Sequence, residues 1–165
     1  MPEDIIEDYK AFRVSYGNRN RSDKALDVFL ECWQDSDLEK LASFAAKSII
    51  SDDYGDQIQS FFPLYDLRTL EKLDEKKGIL HKEEALQAVY HLIEDYLKPA
   101  DEQSYGLGPL LTDVISSVTF LGLEKEVDID YIDRAIERAR KDGHHAVADN
   151  WEHIKGEIIK ARESK

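Results

Sequence analysis

Cysteine is nearly missing from this chain, and the one present, Cys32, has no partner with which to form an internal disulfide. A fold that must stand without disulfides suits a reducing cytosol. Proline occurs four times and glycine eight times in 165 residues, so long stretches run without a helix breaker. No apolar run approaches the roughly 18 residues that a membrane-spanning helix requires. The opening Met1-Pro2-Glu3-Asp4 is acidic and lacks the charged-then-apolar layout of a secretory signal. Basic charge is also short, with 22 Lys and Arg against 35 Asp and Glu, so the cationic surface that holds nucleic acid is not expected. These absences predict a cytoplasmic protein with no membrane or nucleic-acid partner.

Catalytic signatures are absent too. Tyr105-Gly106-Leu107-Gly108-Pro109 has two glycines, but not the Lys-Ser/Thr of a P-loop nor the third glycine of a dinucleotide fingerprint. There is no Gly-x-Ser-x-Gly and no cysteine with an evident histidine partner. Cys32 lies in the apolar stretch Leu26–Trp33 and is expected to be buried there as a small hydrophobe. No cofactor, no metal and no enzymatic activity are predicted.

What the chain does have is helical periodicity and acid. Its length predicts one helical domain over 1–165, long enough to bury about 70% of the unfolded surface. Ile5, Ile6, Tyr9 and Phe12 form a first apolar stripe, over about 3–15. Gly17–Arg21 breaks it, and Ser22 starts a second helix that buries Leu26, Phe29, Leu30 and Trp33. Ser36 with Glu39 has capping-box spacing before Leu38, Leu41, Ala45 and Ile49. A short segment from Ile58 ends at Pro63, and Asp66 then caps a helix that closes at Lys76-Lys77-Gly78. His81 to Leu97 is the clearest helix and stops at Pro99.

After the polar stretch 100–108, Leu110 to Leu121 reads as a buried helix, although its β-branched run, Val114 to Phe120, also suits a strand. Asp128 caps a helix to Lys141, and Gly143 joins it to a last helix over about 144–162. The fold class that follows is all-α: a compact bundle of about seven to eight helices with a C-terminal antiparallel hairpin. Alternating helices also suit a solenoid, but no residue pattern repeats at a fixed period.

Several constellations were weighed for chemistry. His81 with Glu84 and His91 with Glu94 are two His-x-x-Glu pairs on one helix. Ten residues rotate them about 80° apart, so they do not converge on a metal. His145, Asp149, Glu152 and His153 share a helix face without a ligand from another helix. Asp128, Asp130 and Asp133 alternate with apolar residues and read as a helix cap rather than a calcium loop. Asp113, among Leu110, Leu111, Val114 and Ile115, reads as a first-turn acid. As a buried carboxylate beside His91 it would instead belong to an enzyme site.

The acid is unevenly spread. Glu94 to Asp133 holds ten acids and two bases. Subtracting acids that start helices leaves two polar segments. One carries Asp52, Asp53, Tyr54 and Asp56; the other carries Glu94, Asp95, Asp101, Glu102 and Tyr105. Each has a tyrosine, a residue able to anchor a partner, beside charge that steers basic proteins. These nine residues are the expected partner-binding set. The profile, small and acidic without catalytic motifs, resembles that of immunity proteins, which cover the cationic site of a nuclease toxin. That resemblance implies a basic protein partner. The alternatives are a helical adaptor or structural module whose acidity serves solubility, and an enzyme around Asp113 and His91.

Overall fold

In the computed structural model, residues 4–16, 23–51 and 61–163 are described. Eight α-helices run through them: α1 Ile5–Tyr16, α2 Asp23–Glu31, α3 Asp35–Ser51, α4 Phe61–Lys77, α5 Lys82–Leu97, α6 Leu111–Phe120, α7 Ile129–Lys141 and α8 His145–Glu163. Two short 3-10 turns, Ala100–Glu102 and Gly108–Leu110, lie between α5 and α6. There is no strand among the described residues. The all-α class and its multi-helix packing are thus present. Contacts divide the chain into two compact units, Met1–Ala85 and Leu86–Lys165.

In the first unit α1 packs on α3, α3 on α4, and α2 on α4. The helices meet through the stripes expected of them: Ile5 and Tyr9, Leu26 and Leu30, Leu38, Leu41, Ala45 and Ile49, and Leu67, Leu70 and Leu73 are all buried. Spacings of three and four place each set on one side of its helix. Phe29 gathers an aromatic cluster, with ring centroids 4.8 Å from Phe12, 6.0 Å from Tyr9 and 6.1 Å from Trp33.

Some starts and stops differ from the sequence reading. α3 begins at Asp35, after Gln34, whose carbonyl accepts from the N–H groups of Asp37 and Leu38. Ser36 is therefore inside the helix rather than its cap. Pro63 does not end a segment but sits in the first turn of α4, where its missing N–H would have had no intrahelical partner. Asp66 is consequently interior to α4 and caps nothing. Cys32, expected to be buried, is exposed just past the end of α2. Ser22 lies outside the described residues. α4 closes as expected: Gly78 takes φ +65°, and Ile79 donates back to the Leu73 carbonyl and is buried.

In the second unit α7 and α8 form the expected antiparallel hairpin. Arg140 pairs with Asp149 at 3.0 Å, and Asp133 pairs with Lys155 further along. Gly143, at φ +84°, makes the turn, and the His144 N–H reaches back to the Ala139 carbonyl. The β-branched run 114–120 is helical, within α6. Its buried residues Leu111, Val114, Ile115 and Val118 keep helical spacing, and tertiary burial overrides local preference. α6 and α8 run parallel: the Trp151 indole donates to Thr112 near the start of α6 at 2.7 Å, and Arg162 donates to the Glu124 carbonyl beyond its end at 2.7 Å.

Candidate functional site

The segment after α5 is the part of the expected site that the structure builds in detail. α5 must end at Leu97 because Pro99 disfavours helical backbone in the residue before it. Ending a helix orphans its last carbonyls, which need new donors. Arg138 of α7 supplies them, its guanidinium donating to the carbonyls of Leu97 and Lys98, each at 2.9 Å. A cation there also complements the helix dipole. Gln103 adds a second set of bonds, donating to the carbonyls of Tyr96 at 2.9 Å and Lys98 at 3.0 Å. Arg138 is itself held by Asp142 at 2.9 Å and stacks over the Tyr96 ring. Burial pushes the Tyr96 hydroxyl above its ordinary value; Asp142 adds to this and Arg138 opposes it.

Asp95 completes the anchorage. It was expected to face a partner, but it is buried. Its two oxygens accept the N–H groups of Ser104 at 2.7 Å and Tyr105 at 3.2 Å. Tyr105, expected to stand available in a polar loop, is also buried. Both expectations fail for the same reason. The loop folds back on α5, and backbone donors brought inside must find an acceptor. The structure thus brings Asp95 and Tyr105 together as the inner side of the loop.

Glu94, Asp101 and Glu102 form the outer side: all three are exposed, and none makes an ion pair among the described residues. Asp52, Asp53, Tyr54 and Asp56 lie outside the described residues.

The structure distributes the other constellations among a helix cap, ion pairs and half-buried or exposed positions. Asp128 caps α7, accepting the Asp130 N–H at 3.0 Å, while its own N–H donates to the Tyr90 hydroxyl at 2.8 Å. Tyr90 and Tyr131 stack with centroids 4.1 Å apart. His81 lies 2.9 Å from Glu39 and 3.6 Å from Glu84, bridging α3 and α5. Asp113 occupies the first turn of α6, half-buried, and His91 is half-buried on α5. His145, Glu152 and His153 are exposed, and Asp149 is engaged by Arg140. No group of three or more metal-binding side chains occurs among the described residues.

One cluster escaped sequence reasoning. Asp66, fully buried, accepts from the Arg13 guanidinium at 3.0 and 2.9 Å and from the Tyr9 hydroxyl at 2.6 Å. Thr69 lies 2.8 Å from the same hydroxyl. The rings of Tyr9, Phe44 and Phe62 box the guanidinium at 5.4–5.9 Å. Burial, then the Asp66 charge, raises the Tyr9 hydroxyl well above its ordinary value. A signal was present: Asp66 is in register with Leu70 and Leu73, on the apolar stripe of α4, and Tyr9 and Arg13 are one turn apart on α1.

Compared with protein-family models, characterised proteins and solved structures, the chain matches none.

Proposed function

We propose that the protein is a binding module for a basic protein partner, which it engages through the acidic loop that follows α5. The observation carrying this reading is the two-sided construction of that loop. Asp95 at the end of α5, Gln103 of the loop and Arg138 of α7 commit their polar groups inward, while Glu94 of α5 and Asp101 and Glu102 of the loop are exposed and make no ion pair among the described residues. A loop fixed before binding loses little conformational entropy on association, and exposed like charges steer a cationic partner and speed its arrival. In its most concrete form the partner is a nuclease-type toxin and the protein its immunity protein. The chain's net charge of -13 favours that form. No helix in the described residues is long and apolar enough to cross a membrane.

The test is capture of a basic protein by the immobilised chain, repeated with Asp101→Lys/Glu102→Lys. The wild type should retain the partner at low salt and release it as salt rises, because exposed charges are screened beyond about 10 Å at 0.1 M. The double variant should lose it while keeping the wild-type unfolding midpoint. Equal retention by the variant would remove this loop from the interface.

A further inference from the structure

Two kinds of bond hold the acidic loop, and they differ in reach. Asp95 and Gln103 tie the loop to its own helix, across five to ten residues. Arg138 ties that helix end to α7, across 40 and 41 residues. Its guanidinium serves two sets of acceptors. Nη1 donates to the Leu97 and Lys98 carbonyls, while Nε donates to Asp142 at 2.9 Å. The rigid planar fork lets one side chain face both at once. The Lys98 carbonyl also receives Gln103, so the short-range and long-range bonds meet at one peptide, three residues before Asp101.

The Arg138 side chain is 20% exposed and already paired with Asp142, so its charge is poorly placed to meet a partner. Asp101 and Glu102, on the loop it holds, are exposed.

We propose that Arg138 is the positioning residue of the acidic loop: it raises affinity for a lysine-rich chain by fixing where Asp101 and Glu102 stand, without meeting that chain itself. This role rests on the loop being the binding surface. A loop ordered before binding loses less entropy on association. Charge and positioning predict opposite signs for the loss of Arg138. Removing a cation and leaving Asp142 without its partner makes this face more acidic, which by charge alone strengthens the hold on a basic chain. Freeing the loop weakens that hold.

The experiment is a titration with a fluorescent lysine decapeptide at low salt, each variant held well below its unfolding midpoint. Arg138→Met keeps an apolar stem and loses every donor. It should bind the peptide at least about threefold more weakly, the scale of one or two side chains newly ordered on binding. Its Ser104 and Tyr105 amides should exchange hydrogen faster than in the wild type. Arg138→Lys keeps the charge but cannot serve Asp142 and both carbonyls together. It should fall between the two, and it carries the test if Arg138→Met does not fold. In an Asp101→Lys/Glu102→Lys background, Arg138→Met should change affinity by less than about twofold, because the acids it positions are gone. Equal or tighter binding by Arg138→Met, wild-type binding by Arg138→Lys, or the full loss repeated in that background would overturn the positioning role alone. Undiminished binding by Asp101→Lys/Glu102→Lys itself would overturn the loop as the binding surface, and this role with it.

Discussion

Arg13 and Asp66 are two charges placed where water does not reach, and their value lies in each other's presence. Desolvating either ion costs several kcal/mol, which the bonds from one Arg13 guanidinium nitrogen to both Asp66 oxygens, together with the Tyr9 hydroxyl, offset. Removing one partner strands the other. Arg13→Ala or Asp66→Asn should therefore cost about 3–5 kcal/mol in denaturant unfolding. Arg13→Met/Asp66→Leu should cost far less, because no buried charge remains. Tyr9 adds a pH signature. Its folded-state pKa is raised above the ordinary 10.0, so the folded chain holds its proton more tightly than the unfolded one. The resulting stability is fully present below pH 10 and is lost as pH climbs from there toward the raised value. Urea midpoints measured across the alkaline range should fall in the wild type and fall less in Tyr9→Phe.

At the scale of elements, the end of α5 and the loop that follows it separate inner from outer acids. Asp95→Ala leaves the Ser104 and Tyr105 amides without their acceptor and should cost about 1–3 kcal/mol. It should also speed hydrogen exchange at those two amides. Asp101→Lys, exposed on the loop that Asp95 anchors, should change stability by no more than about 0.5 kcal/mol. Equal effects from the two substitutions would contradict the two-sided reading. Composition could not separate these residues, because Asp95 and Glu94 differ by 100° of helix rotation and nothing in residue type marks which one turns inward. Helix boundaries were legible where caps act locally, as at Asp128, Gly78 and Gly143. They were misjudged at Pro63, which suits a helix end and a first turn alike.

Across the whole molecule, a net charge of -13 sets self-repulsion against the surface ion pairs. Exposed pairs such as Lys10–Glu7 and Arg134–Asp130 contribute about 0–1 kcal/mol each and weaken with salt. Repulsion among unpaired acids acts over the entire surface and is screened by the same salt. The repulsive term should dominate, so the thermal midpoint should rise between about 0.01 and 0.15 M monovalent salt. A falling midpoint would mean that the ion-pair networks outweigh it.

The sequence by itself determined the all-α class, most helix positions and the C-terminal hairpin. Periodicity, caps and glycine turns act within a few residues, and their physics is written locally. It also determined the acidity. Only the tertiary structure decided which acids are free. Asp66 reaches Arg13 across 53 residues and Asp95 reaches Ser104 across nine. A carboxylate becomes a structural acceptor or an open charge according to what the fold brings to it, and residue type alone does not encode that.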